Sequence, residues 1–132
     1  MMHAYSGPAL VTLANCLLLF VCAAYVGRCR VRFRIQAPAT SGHPQFEIAY
    51  RIHMNTIENT VAFQPVLWLF AAYLSIPWAT VFGAVWLAGR VGYAWAYARD
   101  PKTRSGGFLV SMLAFAILSL GAAWGVVRGL LA

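Results

Sequence analysis

The chain has 132 residues, of which 61% are hydrophobic and only 10% charged, and its formal net charge is +7 at pH 7. Soluble domains carry about 25% charged residues, so this composition argues against a soluble domain and indicates an integral membrane protein. The length allows one domain, residues 1–132. A positive net charge can indicate nucleic-acid binding, but here the basic residues lie beside apolar segments. We therefore expect no nucleic-acid partner.

Four apolar segments are long enough to cross a hydrocarbon core as helices, which takes about 20 residues each. They cover residues 8–27, 46–75, 77–98 and 105–127 approximately. Backbone polar groups in lipid must be satisfied within each segment, so helices are the expected form. The predicted fold class is therefore an all-α integral membrane protein, a four-transmembrane-helix bundle in contact with membrane lipid.

Basic residues cluster on one side of the predicted spans. Only Arg128 lies on the other side, whereas seven basic residues follow the first and third spans: Arg28, Arg30, Arg32, Arg34, Arg99, Lys102 and Arg104. Positive loops mark the cytoplasmic side of a membrane. We therefore predict a multi-pass protein with loops 28–45 and 99–104 cytoplasmic and both termini outside. The short loops favour a bacterial inner membrane as its location.

The second span begins with polar residues that share one helix face. Arg51, Asn55 and Glu58 fall at i, i+4 and i+7, and the chain then runs without charge from Asn59 to Gly89. Ionisable residues at membrane depth are costly, and they persist mainly where they line a polar site or pair with each other. This face is the best candidate for a functional site.

A second polar face lies on the third span, where Arg90, Tyr93 and Tyr97 fall at i, i+3 and i+7. Arg104 lies seven residues beyond Tyr97 and could extend that line if the helix persists. Arg90 is predicted to pair with Glu58 or with backbone carbonyls, and a structural role and a ligand contact are equally open for it.

Together the two faces offer complementary groups for one kind of guest. Arginines bind carboxylates, while Glu58 can accept an ammonium group and Asn55 can both donate and accept. The matching molecule has separated carboxylates, an α-amino group and peptide amides. Glutathione is such a molecule, and it also carries a thiol.

The same positions resemble the MAPEG family, the membrane-associated proteins of eicosanoid and glutathione metabolism, and in particular its microsomal glutathione S-transferase-like members. The resemblance covers the whole chain. It is carried by Phe46-Glu47-x-x-Tyr50-Arg51-x-His53-x-Asn55-x-x-Glu58, then by Gly89-Arg90-x-x-Tyr93-x-x-x-Tyr97, and by Arg104.

This resemblance implies a homotrimer that holds glutathione, its co-substrate, between neighbouring subunits on the cytoplasmic side. It implies that Arg104 is catalytic and keeps the sulfur as thiolate, and that glutathione is bound by Arg30, Arg51, His53, Asn55, Glu58, Tyr93 and Tyr97. The implied activity is glutathione transfer to a hydrophobic or lipid electrophile, with detoxification as its setting and peroxidase activity as a second reaction. The thiolate chemistry needs no metal, and haem is not expected because His53 is the one histidine in a predicted helix.

Two alternatives remain open from the sequence. A non-catalytic lipid-binding protein of the same family would lack glutathione chemistry, and the presence of Arg104 argues against it. A small four-helix multidrug transporter would carry its carboxylate in the first helix, where this chain has no charge. Val31 and Asn59 also differ from the leukotriene C4 synthase branch, which has an arginine and an aromatic residue there, so leukotriene synthesis is not favoured.

Overall fold

The computed structural model describes residues 2–132, which form helices and contain no strand. The all-α prediction is therefore confirmed. Four α-helices are joined by short connections: α1 (Ser6–Phe33), α2 (Pro44–Tyr73), α3 (Ile76–Arg99) and α4 (Ser105–Leu131). Two short 3₁₀ helices complete the chain, Met2–Tyr5 before α1 and Pro101–Thr103 before α4.

Local capping chemistry sets where α2 and α3 begin. The ring Nδ1 of His43 accepts a hydrogen bond from the backbone N–H of Gln45 at 3.1 Å, and Pro44 occupies the first helical position. The hydroxyl of Ser75 accepts from the backbone N–H of Trp78 at 3.4 Å in the same way. These contacts satisfy N–H groups that have no partner inside a helix.

The segment 28–45, predicted as a loop, is helical at both ends. α1 continues through Phe33 and α2 begins at Pro44, so the non-helical residues are 34–43. Arginine is a good helix former, and the loss of hydrophobicity at Arg28 therefore does not end the helix. α1 ends instead where Arg34 adopts a left-handed conformation with φ of 56°, a common geometry after a helix.

Within residues 2–132, two segments are long and apolar enough to cross a membrane by length and composition, His3–Phe33 and Pro101–Leu131. α2 and α3 have 30 and 24 residues, which is ample length, but they carry the polar faces described above. Membrane crossing by the four segments, and their assembly into one transmembrane domain, stay predictions.

The bundle has an apolar half and a polar half. In the apolar half, Phe63 and Trp86 are fully buried and their rings stack with centroids 3.6 Å apart, within a cluster that also contains Leu67 and Leu118. The polar half lies at the other end, where α2 and α4 begin and α1 and α3 end. The topology thus brings the predicted functional faces of α2 and α3 together with Arg104.

Glycines allow α3 and α4 to touch backbone to backbone in the polar half. A Cβ atom added at Gly107 would overlap the backbone nitrogen of Tyr93 and lie 2.6 Å from the carbonyl oxygen of Gly89. One added at Gly89 would lie 2.7 Å from the backbone nitrogen of Ser111. Small residues permit such close approach of helices, and here it places the first turn of α4 beside Tyr93.

We expect Gly107→Ala to lower the free energy of unfolding by about 1–3 kcal/mol, because the added methyl group forces the two backbones apart. Gly106→Ala is the matched control, since no atom lies within 4 Å of a Cβ at that position, and it should be neutral or slightly stabilising. Thermal unfolding of the purified variants in detergent measures the difference. Equal stability of the two variants would contradict the close contact.

Candidate functional site

A cavity of about 520 Å³ opens between α2, α3 and the start of α4. Its volume falls in the range of about 300–1,000 Å³ that is usual for small-molecule sites. The lining residues are Arg51, Asn55, Tyr93, Tyr97, Arg104, Ser105 and Phe108. The structure therefore brings five residues singled out from the sequence to one place.

Stacked tyrosines form the α3 wall of this cavity. Tyr93 and Tyr97 are 4% and 8% exposed, and their ring centroids lie 5.6 Å apart. The guanidinium of Arg104 lies 5.0 Å from the centre of the Tyr97 ring. Because α3 ends at Arg99, Arg104 reaches this line from the start of α4 and not along a continuous helix.

Arg51 and Glu58 form an ion pair at the rim of the cavity. The Nη1 atom of Arg51 donates to Oε1 of Glu58 at 3.4 Å, and the two side chains are 54% and 52% exposed. Exposed pairs of this kind contribute little to stability. With about half of each side chain exposed, both charged groups are accessible from solvent. Glu58 itself is not among the lining residues.

Arg90 lies behind the cavity and is fully buried. Its Nη2 atom donates to Oδ1 of Asn55 at 2.7 Å and to Oγ1 of Thr56 at 3.2 Å, and its guanidinium lies 4.3 Å from the centre of the Tyr93 ring. The prediction that Arg90 pairs with Glu58 or with backbone carbonyls is wrong, because both of its hydrogen bonds go to side chains of other residues. Glu58 lies on the exposed face of α2, whereas Asn55 and Thr56 are the residues of α2 that meet Arg90.

The contact with Arg90 determines how Asn55 faces the cavity. A guanidinium can only donate hydrogen bonds, so the amide oxygen of Asn55 must be turned toward Arg90. The Nδ2 group of Asn59 donates to that same oxygen at 3.4 Å. The amide nitrogen of Asn55 is the end that remains for the cavity, and it can only donate.

Arg30 and His53 lie away from this cavity in the single chain. The Nη1 atom of Arg30 donates to the carbonyl oxygen of Ala39 at 2.8 Å, and its guanidinium lies 4.7 Å from the centre of the Phe46 ring. His53 is partly buried on α2, two residues after Arg51. Residues two apart on a helix do not face the same way, so His53 is turned from the lining set.

The sequence analysis missed two lining residues, Ser105 and Phe108. Phe108 lies four residues after Arg104, a helical spacing that could have identified it, and its ring lies 6.3 Å from that of Tyr93. The predicted fourth span begins at Ser105, as α4 does, but its sequence does not show which of its residues face the cavity. In the part of the chain that the structure describes, no group of three or more His, Cys, Asp or Glu residues could hold a metal ion.

Comparison with known proteins adds independent information. The family model described as the MAPEG family matches residues 8–124. An uncharacterized protein of Synechocystis sp. is 42% identical over 115 residues, which are 87% of this chain and 84% of that protein. Human microsomal glutathione S-transferase 2 is 34% identical over 109 residues, 83% of this chain and 74% of the human protein. Bovine leukotriene C4 synthase is 33% identical over 118 residues, 89% and 79% of the two chains.

The hydrogen bond from Arg90 to Asn55 predicts opposite effects of two substitutions of similar size. Asn55→Leu leaves a further buried donor of Arg90 unpaired and should lower the free energy of unfolding by about 1.5–3 kcal/mol. Asn55→Asp keeps an acceptor and adds a negative charge opposite the buried guanidinium, so it should be at least as stable as the wild type. Thermal unfolding in detergent tests both, and a fully stable Asn55→Leu variant would show that the contact contributes nothing.

Proposed function

Because this chain belongs to the MAPEG family, as the resemblance predicted, we propose that it is a membrane-bound glutathione transferase acting on hydrophobic electrophiles. The observation that carries the proposal is the convergence of Arg51, Asn55, Tyr93, Tyr97 and Arg104 on one cavity. The names of the relatives, microsomal glutathione S-transferase 2 and leukotriene C4 synthase, support a glutathione-dependent reaction. Glutathione is the one co-substrate required, and neither metal nor haem takes part.

The groups at the cavity complement the charged ends of glutathione. Arg51 binds a carboxylate of the tripeptide, and Glu58 receives its ammonium group, so that glutathione replaces the exposed ion pair between these two residues. The amide nitrogen of Asn55, whose amide oxygen accepts a hydrogen bond from Arg90, donates to a carbonyl or carboxylate oxygen. The hydroxyl groups of Tyr93 and Tyr97 supply further donors.

Arg104 acts on the sulfur. A free thiol has a pKa near 8.5, so only a few per cent of it is thiolate at neutral pH. Lowering that pKa by about two requires about 2.7 kcal/mol of preference for the charged form, which one charge-assisted contact in a low-dielectric site can supply. The thiolate then attacks an electrophilic carbon that arrives from the bilayer, and a carbon–sulfur bond forms as the leaving group departs with its electron pair. In the second reaction the same thiolate attacks the terminal oxygen of a lipid hydroperoxide, the O–O bond breaks and the lipid alcohol leaves, and a second glutathione converts the resulting sulfenic acid to the disulfide and water.

We further propose that the working form is a homotrimer with glutathione sites between neighbouring subunits. Arg30 supports this arrangement, because within one chain it contacts Ala39 and Phe46 and does not line the cavity that contains Arg51. A glutathione contact by Arg30, and by His53 in the same shell, is then made across a subunit boundary. The protein would span a bacterial inner membrane with its basic loops in the cytoplasm, where glutathione is dissolved.

Arg104→Ala should leave glutathione bound but raise the pKa of its bound thiol toward 8.5. In this variant the thiolate would form only as the pH rises through that value. Turnover at pH 7 should therefore fall by about 10- to 100-fold and recover at alkaline pH. Thiolate absorbance of bound glutathione and turnover of 1-chloro-2,4-dinitrobenzene measure the two effects.

Lys102→Ala is the matched control, because it removes a basic residue from the same connection without touching the cavity. If Arg104→Ala kept the absorbance and turnover of Lys102→Ala, then Arg104 would be only another basic loop residue. Arg51→Ala should weaken glutathione binding more than it slows the bound complex. The two arginines are thereby distinguished within one set of measurements.

Mixed oligomers test the inter-subunit site directly. Arg30→Ala and Arg51→Ala subunits carrying different tags are coexpressed, and the oligomers that contain both are purified. Each mixed trimer then has one site in which both arginines are intact, with Arg30 from one subunit and Arg51 from its neighbour. Because the other two sites lack at least one arginine, about one third of wild-type activity should return. If each site lay within one chain, every site would still lack one of the two arginines, and mixing the two variants would restore no activity.

A further inference from the structure

A second concave surface lies on the other side of α3 from the glutathione cavity. It is a groove of about 250 Å³ between α1 and α3, and it shares no lining residue with that cavity. Apolar side chains form almost all of it, among them Leu18 and Val21 from α1 and Ala94, Trp95 and Ala98 from α3. Val21 and Trp95 are exposed, so the groove is open along the outside of the bundle.

The groove leads into a basic opening at the end of α1. Tyr25 lines the groove and also lines a larger cavity of about 710 Å³, whose other lining residues include Arg28, Arg32 and Gln45. Tyr25, Arg28 and Arg32 fall at i, i+3 and i+7 and share one face of α1. The two spaces therefore follow one another along the same helix face, first apolar and then basic.

A third guanidinium borders the same end from α3. Arg99 lies 5.4 Å from the centre of the Trp95 ring, and Trp95 forms part of the groove wall. Neither the groove nor the basic opening has an aspartate or glutamate among its lining residues. An occupant would meet apolar surface along the helices and uncompensated positive charge at their cytoplasmic end.

We propose that this groove and opening bind one anionic phospholipid, with an acyl chain between α1 and α3 and the phosphate between Arg28 and Arg32. A free phosphate is not the preferred ligand, because it has no apolar part that could occupy the groove. The arginines favour an anionic over a zwitterionic headgroup. The proposal requires that the protein lies in a membrane, but it is independent of any reaction with glutathione.

Lipid titration of the purified, delipidated wild-type protein, read by native mass spectrometry, tests this site. Dioleoyl phosphatidylglycerol should bind about tenfold or more tightly than dioleoyl phosphatidylcholine, which has the same chains. The double variant Arg28→Gln/Arg32→Gln should lose this preference. The control Arg34→Gln/Lys102→Gln, which removes the same charge from exposed positions outside both spaces, should keep it.

Two further measurements distinguish a phospholipid bound in the groove from a free anion and from nonspecific attraction of lipid to positive charge. Ala94→Leu places a larger side chain in the groove and should weaken binding of both lipids while the preference for the anionic one persists. Millimolar inorganic phosphate should not displace phosphatidylglycerol. The proposal is overturned if the control double variant loses the preference equally, if Ala94→Leu has no effect on either lipid, or if inorganic phosphate displaces the lipid.

Discussion

The buried guanidinium of Arg90 is the interaction on which the polar half of the molecule depends. A buried charge is tolerated only where it is paired or hydrogen-bonded, and Arg90 finds its partners in Asn55 and Thr56 on the neighbouring helix. The register of α2 against α3 is thereby set at the height of the cavity. The Nε and Nη1 atoms of Arg90 have no hydrogen-bond partner in the described chain, so the buried charge depends on the two hydrogen bonds made by Nη2 and on the face of the Tyr93 ring, 4.3 Å away.

Polar contacts continue from this point along α2 toward the other end of the bundle. Thr60 and Asn15 join α2 to α1 through a hydrogen bond of 3.3 Å, and Thr12 accepts from the indole nitrogen of Trp68 at 3.2 Å. In lipid, apolar contact between helices is not favoured over contact with acyl chains, so interhelical hydrogen bonds and close packing carry more of the specificity. Gln64 also accepts from the hydroxyl of Thr12 at 3.0 Å. The stripe formed by Thr60, Gln64 and Trp68, each four residues apart, thus fixes α1 against α2 over several turns.

The residues that share a face of one helix could be predicted from their spacing, whereas the contacts between helices could not be predicted. Arg51 and Asn55 could be placed on one face because helical periodicity alone decides it. The partner of Arg90 could not be predicted, because whether Asn55 or Glu58 faces it depends on how α2 is rotated about its own axis. The end of α1 was missed because arginines extend a helix beyond its apolar stretch. Ser105 and Phe108 were missed because the uncharged sequence of the fourth span does not show which of its residues face α2 and α3, whereas in the structure Gly107 packs directly on α3.

The backbone contact between Gly107 and Gly89 also limits how the site can adapt over evolution. No side chain separates α3 from the first turn of α4, so a rotamer change cannot alter the distance between Tyr93 and Arg104, and a side chain added at Gly107 would alter it only at a cost in stability. A change in what the cavity binds would have to come from residues on its open sides, such as Phe108. The proposed catalytic corner around Arg104 would then keep its geometry, which would separate the part of the molecule proposed to determine the chemistry from the part that determines the substrate.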